Sequence, residues 1–198
     1  MEKYSSGLVE ESFWFVEFKQ FIKLLSEGRT WEEIKSMCLE DNLLGISKQY
    51  RITRIFAYLK NRIETLDKGM LDLFLDSDLQ TQKLINLIAI AKYNRLFFEF
   101  LYEVYREKVM LGALELMDSD INIFFKNKQE QDEKIAKWVD STVKRLGSTY
   151  KNFLTDANLL TLENKQRKIT PPILDIALEK YLETNGDIHM SKAIRGIN

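Results

Sequence analysis

One arc of a C-terminal segment concentrates basic and short polar side chains. Residues 140–157 have the apolar spacing of an amphipathic helix, with Val143, Leu146, Tyr150 and Phe153 on its core face. The opposite arc contains no acidic residue, and its members are Ser141, Lys144, Arg145, Ser148, Lys151, Asn152 and Thr155. Lysine and arginine neutralise phosphates, and short polar side chains bond phosphate oxygens or base edges. This face therefore predicts contact with a nucleic acid.

A short β-like stretch follows this helix and carries further cations. Residues 159–162 and 166–170 flank a polar turn, which predicts a small β-hairpin. Its tip and second strand carry Lys165, Arg167 and Lys168. Helix, turn, long helix and hairpin is the element order of a winged helix, in which the second helix enters the major groove and the wing touches the backbone. The alternative is a solvated helix face beside an exposed hairpin, and the sequence leaves both open.

A second group of cations lies in the N-terminal half of the chain. Its members have no acid between them, and they are Lys48, Arg51, Arg54, Lys60 and Arg62. Most of them share an arc with Tyr58 that flanks the apolar stripe of a helix predicted over residues 48–66. A helix over residues 31–40 and a glycine-containing turn precede it, so the segment resembles a helix-turn-helix with a basic second helix. The alternative is a solvated helix whose arginines pair with Glu32, Glu33 or Asp41.

No group of residues in the sequence is typical of catalysis or of a bound cofactor. The single histidine, His189, has no cysteine or second histidine nearby, so we expect no zinc site. Cys38 lies amid apolar residues, which favours a buried, inert thiol. The chain has no phosphate-binding glycine loop and no Gly-x-Ser-x-Gly elbow. Helix capping explains its closely spaced aspartates better than metal binding does. We therefore expect a binding protein rather than an enzyme, with no metal, cofactor or small-molecule substrate.

Composition bounds the class of protein and its compartment. The 198 residues are 45% hydrophobic and 30% charged, as in a globular protein large enough for one large domain or two small ones. The formal net charge of −1 gives no global basic excess, so a nucleic-acid partner must be argued from local clustering. A single cysteine fits a reducing compartment. Neither a signal peptide nor a membrane-spanning apolar run is visible, so we expect a cytoplasmic protein away from membranes.

The distribution of proline and glycine predicts helices throughout. The two prolines are adjacent at Pro171 and Pro172, and the glycines fall mostly between periodic segments. The expected fold class is all-α, a helical bundle. Its helix-turn-helix-like N-terminal part covers residues 1–112, and its winged-helix-like C-terminal part covers residues 113–198 and contains one small β-hairpin. Apolar and aromatic helices near residues 78–102 should form the centre, and a last helix over residues 173–182 should precede a loose tail.

Two sets of motifs support a resemblance to a known family. The N-terminal set comprises Tyr4-Ser5-Ser6, Leu24-Leu25-Ser26-Glu27-Gly28-Arg29-Thr30-Trp31-Glu32-Glu33-Ile34, Asn42-Leu43-Leu44 and Arg51-Ile52-Thr53-Arg54. The C-terminal set comprises Ser141-Thr142-Val143-Lys144-Arg145-Leu146 and Leu154-Thr155-Asp156-Ala157-Asn158-Leu159-Leu160. In these segments the chain resembles the BrxA family of bacteriophage exclusion (BREX) defence systems. The resemblance spans most of the chain, and its motifs are diffuse helical patterns rather than an invariant chemical signature.

The resemblance implies a small, non-enzymatic component of a multi-gene system that methylates host DNA and blocks phage replication. It also implies binding to double-stranded DNA and an all-helical fold likened to the antitermination factor NusB. Family members have been labelled inner-membrane proteins, which this sequence contradicts. Asn158 stands where a glycine often precedes the Leu-Leu pair, and asparagine tolerates the same left-handed backbone.

The leading hypothesis is a double-stranded-DNA-binding accessory component of a BREX system that also contacts other BREX subunits. The expected contact residues are Lys48, Arg51, Arg54, Arg62, Ser141, Lys144, Arg145, Lys151, Lys165, Arg167 and Lys168. An adaptor that docks an acidic protein is a second hypothesis, and structured RNA, suggested by the likeness to NusB, is a third. The sequence does not reveal whether the two basic faces lie on one side of the molecule.

Overall fold

The computed structural model describes residues 4–198, and it is mainly helical with one small hairpin, as predicted. The helices are α1 (Phe15–Ser26), α2 (Trp31–Glu40), α3 (Gln49–Ile63), α4 (Lys68–Asp76), α5 (Leu79–Tyr93), α6 (Arg95–Phe100), α7 (Arg106–Met110), α8 (Asp118–Gln131), α9 (Glu133–Ala136), α10 (Asp140–Asp156), α11 (Ile176–Thr184) and α12 (Ile188–Arg195). A 3-10 turn, Gly7–Glu10, precedes α1, and a π-helical segment, Leu101–Tyr105, joins α6 to α7 without a break.

Local hydrogen bonds explain where several helices begin. The predicted capping box opens α2, since Glu33 N–H donates to Thr30 Oγ1 at 3.2 Å and Thr30 N–H donates to Glu33 Oε2 at 2.7 Å. Asp78 accepts from the Thr81 N–H at 2.8 Å and so caps α5. Asn94 has an extended backbone between α5 and α6, and its side chain accepts from the Phe97 N–H at 3.0 Å. The predicted break at this asparagine is therefore confirmed.

The centre of the molecule lies where the sequence predicts it. Helix α5 is buried on nearly every side, and Phe97 and Phe100 of α6 are fully buried. Tyr150 of α10 packs between these two rings, with centroids 4.9 Å from Phe97 and 5.1 Å from Phe100. Such tilted aromatic contacts are those of a packed core. The interpretation of the aromatic concentration as core is therefore confirmed.

The C-terminal part contains the predicted hairpin and a pairing that the sequence does not announce. Strands β1 (Leu160–Glu163) and β2 (Gln166–Ile169) are antiparallel. The turn between them has positive φ at Asn164 and Lys165, 49° and 67°, as two-residue hairpin loops require. Residues 114–116 add a short third segment, because Ile169 N–H donates to the Leu114 carbonyl at 2.9 Å.

The predicted loose tail is wrong. Residues after α11 form helix α12, whose buried side chains include Met190, Ala193 and Ile194. These residues pack against the π-helical segment and α7. An ion pair of 2.6 Å between Lys92 and Asp187 holds the start of α12 beside α5. The division of the chain into two parts at residue 112 stays a prediction. Core side chains from both parts pack in one hydrophobic cluster.

No helix within residues 4–198 is both long and apolar enough to cross a bilayer.

A glycine sets the distance between α8 and α10. Gly147 is buried in the middle of α10, and a Cβ at this position would lie 2.7 Å from Cγ2 of Ile121 on α8. Carbon atoms do not approach so closely without displacement, so the two helices can pack at this distance only around a residue that lacks a side chain.

Replacing Gly147 by alanine should lower the free energy of unfolding by about 1–3 kcal/mol, the usual cost of overpacking, although alanine is the better helix former. Ser148→Ala, at the exposed neighbouring position, is the matched control and should change stability by less than about 0.5 kcal/mol. Urea denaturation measures both variants. Equal stability of Gly147→Ala and the control would contradict the close approach of the helices.

Candidate nucleic-acid interface

The basic side chains of α3 divide into an exposed set and a buried one. Lys48, Arg51 and Arg54 are exposed. Arg54 reaches across to the turn before α1, where its Nη1 lies 2.9 Å from Glu10 Oε2. Within residues 4–198, Lys48 and Arg51 form no ion pair, so their charges are available to an external anion. Glu33, expected as a possible partner of these arginines, pairs instead with Arg29 at 3.3 Å.

Arg62 is not a surface residue, and its assignment as a contact to DNA is wrong. Its side chain is fully buried, with Nη2 2.5 Å and Nε 3.1 Å from Glu11 Oε2. The guanidinium also donates to the carbonyls of Ser12 at 2.9 Å and Phe13 at 3.3 Å. The charge of Arg62 is therefore neutralised by Glu11, and most of its N–H donors bond to groups inside the protein. It cannot reach a phosphate.

The spacing of the residues places Arg62 at the edge of the buried stripe of α3. Position 62 lies three residues after Leu59 and seven after Ile55, both of which are buried on the core stripe of α3. Helical spacing predicts that Arg62 shares an arc with Arg51 and Arg54 that flanks the apolar stripe, and at such a flanking position spacing alone does not decide between exposure and burial. Glu11, the partner that makes burial of the charge possible, lies 51 positions away in the sequence, so local spacing does not reveal it.

Burial disfavours the charged form of both members of this ion pair. It raises the pKa of the Glu11 carboxyl, although the charge and hydrogen bonds of Arg62 oppose the change. It likewise lowers the pKa of the Arg62 guanidinium, against the opposing charge of Glu11. Each charge is thus desolvated. The partner's charge offsets part of that cost, and for Arg62 the hydrogen bonds to the Ser12 and Phe13 carbonyls offset a further part.

The outer face of α10 is basic as predicted, but it is not free of acids. Ser141, Lys144 and Arg145 are exposed. Lys151 is largely covered, and its ammonium group bonds to Asp118 at the start of α8. The hydrogen bond from Lys151 and its charge hold the pKa of Asp118 below its ordinary value. The acid comes from a neighbouring helix, so the pattern of α10 alone does not reveal it.

The hairpin presents its cations in three different ways. Lys165 lies exposed at the tip, and no described carboxylate pairs with it. Arg167 donates to Asn152 Oδ1 at 3.1 Å and so ties the second strand to α10. Lys168 pairs with Glu163 across the strands, and both side chains are about half exposed. Such an exposed pair contributes little stability and does not bar an external phosphate.

The two basic faces meet at the 3-10 turn Gly7–Glu10. Arg54 of α3 binds the side chain of Glu10 at 2.9 Å, and Arg145 Nη2 of α10 lies 3.4 Å from the carbonyl oxygen of Val9. The turn packs against α10. Because the two arginines contact adjacent residues, the faces that carry them border the same turn. The sequence left this relation open.

A groove of about 320 Å³ lies between α8 and α10, beside the outer face of α10. Lys144, Ser148 and Lys151 line one wall, and Asp118 and Asn122 line the other. Its lining can donate hydrogen bonds from two ammonium groups and accept them at one carboxylate.

The described part of the chain offers few candidate residues for metal binding or for nucleophilic catalysis. No group of three or more His, Cys, Asp or Glu side chains within residues 4–198 could hold a metal ion. Cys38 is buried, and burial raises the pKa of its thiol to about 11. A thiol with so high a pKa is almost wholly protonated at neutral pH and is a poor nucleophile.

Sequence comparison identifies the family. A sequence model of BrxA matches residues 2–186. The chain is also 34% identical over 184 residues to a BREX protein BrxA from Bacillus cereus (strain H3081.97), an overlap of 93% of this chain and 92% of that protein. The chain belongs to the BrxA family. The predicted resemblance is therefore confirmed, and BrxA proteins are components of BREX phage-defence systems.

Two more distant comparisons extend over nearly the whole chain. A BREX protein BrxA from Paramagnetospirillum magneticum (strain ATCC 700264 / AMB-1) is 20% identical over 193 residues, covering 98% of this chain and 96% of that protein. The crystal structure of an uncharacterized protein from Magnetospirillum magneticum superposes with a TM-score of 0.82 at 20% identity, covering 98% of this chain and 100% of that chain. The superposition shows that this chain and the crystallised protein share a fold.

Glu11→Gln should lower the free energy of unfolding by about 3 kcal/mol or more, because it leaves the Arg62 charge buried without a counter-charge. Glu10→Gln is the matched control, since it removes a carboxylate whose side chain is 48% exposed, and its cost should stay below about 1 kcal/mol. Chemical denaturation of the two variants measures the difference. Similar losses of stability for both would show that the Glu11–Arg62 pair is not buried as described.

Proposed function

We propose that this member of the BrxA family is a double-stranded-DNA-binding component of a BREX system and that it contacts the duplex mainly through phosphates. The observation that carries the proposal is the meeting of the two basic faces at the turn Gly7–Glu10, where Arg54 and Arg145 contact adjacent residues. Because the two helices border the same turn, their cations can contact phosphates along one stretch of the DNA backbone. A near-neutral protein can therefore present a locally basic surface.

The order and pairing of elements in the C-terminal part support a winged-helix mode of binding. Residues 114–116 pair with strand β2. In chain order they are followed by α8, the short α9 and α10, and then by the hairpin β1–β2. In a winged helix the long second helix enters the major groove, and the hairpin touches the backbone. Here α10 takes the place of the recognition helix, and Lys165 lies at the tip of the wing. The α2–α3 pair would supply a helix-turn-helix-like second contact.

The proposed contact surface retains all the sequence-predicted residues except Arg62. Its members are Lys48, Arg51, Arg54, Ser141, Lys144, Arg145, Lys151, Lys165, Arg167 and Lys168. Three of these cations already pair with carboxylates of the protein, namely Arg54, Lys151 and Lys168. A phosphate must compete with those carboxylates. Six cations of this surface have no carboxylate partner within residues 4–198 and should therefore contribute the larger share of the binding free energy. They are Lys48, Arg51, Lys144, Arg145, Lys165 and Arg167.

Reversing Lys144, Arg145 and Arg167 together to glutamate should weaken binding to a duplex of random sequence by at least about tenfold at low salt, because it replaces three attractive contacts with repulsive ones. The matched control reverses Lys23, Lys68 and Lys180, which are exposed and lie outside the proposed surface, so the net charge changes equally. Fluorescence anisotropy measures the affinities, and thermal melting verifies that both variants are folded.

Equal affinity of the two triple variants would contradict the assignment of these residues. Absence of duplex binding by the unmodified protein would contradict the proposed function itself. Competition between duplex DNA and hairpin RNA decides which nucleic acid is preferred, and the proposal expects the duplex to win.

A further inference from the structure

An apolar groove with an acidic rim lies between α7 and α8, apart from the basic surface. Val104, Leu111, Ile123 and Phe124 supply its apolar lining, and its volume is about 220 Å³. Leu111 is 81% exposed and Ile123 is 60% exposed. Large aliphatic side chains that lie exposed next to one another often mark a surface that binds another molecule.

Further exposed apolar side chains lie in the segment that links α7 to α8. Met110 at the end of α7 is exposed, and the loop that leads to α8 adds Leu114, 79% exposed, and Met117, 56% exposed. Methionine and leucine side chains that stand out from neighbouring elements form adaptable contact surfaces. The loop therefore adds exposed apolar side chains to the stretch of chain that leads from the end of α7 to the start of α8.

The charges around the groove select the kind of occupant. Its rim carries Glu103, Glu107 and Asp120, against one cation, Lys108. That cation is already neutralised, with its Nζ 2.8 Å from Asp120 Oδ1. Lys128, which does not line the groove, bonds Glu103 at 2.7 Å and Glu99 at 2.6 Å. Glu107 has no cationic partner among the described residues, so the rim keeps a net negative charge.

Helix α8 separates this groove from the DNA-binding surface. Its Asp118, Ile121 and Asn122 face α10, whereas Asp120, Ile123 and Asn127 face α7. An acidic rim repels phosphates, so the groove does not extend the nucleic-acid surface. A ligand in the groove would leave the outer face of α10 uncovered.

We propose that the groove between α7 and α8 docks a protein partner, namely an amphipathic helical segment whose apolar side chains are bordered by lysine or arginine. The apolar ridge of such a helix would cover Leu111 and Ile123, as in other helix-in-groove complexes. Its cations would pair chiefly with Glu107, the rim carboxylate that has no cationic partner among the described residues, and secondarily with Glu103, which Lys128 already contacts. This interaction does not depend on binding to DNA.

The test uses the full chain and two synthetic amphipathic peptides that share one leucine ridge, bordered by lysine in the first and by glutamate in the second. The lysine-bordered peptide should bind. The protein variant Leu111→Ser/Ile123→Ser should lower its affinity by at least about tenfold, because these two side chains are the apolar floor of the contact. The matched control is Ile173→Ser, since Ile173 is 96% exposed and does not line the groove.

Three results would overturn the proposal. The first is equal affinity for the two peptides, or no affinity for either. The second is an equal effect of the groove variant and Ile173→Ser. The third is sedimentation that shows a dimer of this chain which Leu111→Ser/Ile123→Ser dissociates, because the occupant would then be a second copy. Duplex affinity of the groove variant should be unchanged, so failure here is distinct from failure of the DNA-binding proposal.

Discussion

The buried ion pair of Glu11 and Arg62 fixes the part of the chain on which the arrangement of the basic faces depends. Glu11 directly follows the turn Gly7–Glu10, and Arg62 lies near the end of α3, with oxygen and nitrogen 2.5 Å apart. The carbonyl of Phe13, in the same segment, also accepts from Asn86 Nδ2 of α5 at 2.8 Å. The chain after the turn is therefore held from two helices. Removing one member of such a pair costs far more than an exposed pair contributes.

This anchor explains how a protein with a net charge of −1 can offer a basic surface. The turn that it holds lies between α3 and α10, and it is contacted by an arginine from each. Acidic side chains gather elsewhere, notably on the rim of the groove between α7 and α8. The protein sorts its charges by face, so one surface suits phosphates and another suits a basic helix.

Elements set by short-range rules were predictable from the sequence. The capping box of Thr30 and Glu33, the break at Asn94 and the hairpin after α10 each depend on residues a few positions apart. Burial of Arg62 was not predicted, because it depends on a carboxylate 51 positions away. Helix α12 escapes prediction for a related reason: its three buried apolar residues are covered by the π-helical segment, α7 and α11, which are distant or separate elements. Long-range pairs, not local propensities, decide both cases.

The site shows the same division. The outer faces of α3 and α10 could be assigned by periodicity, and their exposed cations lie where the helical arcs place them. The acids that approach them, Glu10 and Asp118, come from other elements and change which cations are free. The meeting of the two faces depends on backbone geometry at Val9, about which composition and spacing say nothing.

The salt dependence of duplex binding tests most directly whether both faces contact one duplex. The logarithm of the association constant should fall linearly with the logarithm of salt concentration, by about 0.9 for each phosphate neutralised. Lys48→Glu/Arg51→Glu on α3 and Lys144→Glu/Arg145→Glu on α10 should each reduce the slope, and the combined variant should reduce it by the sum. An unchanged slope and affinity in the α3 variant would contradict the account, because the duplex would then contact only the C-terminal face.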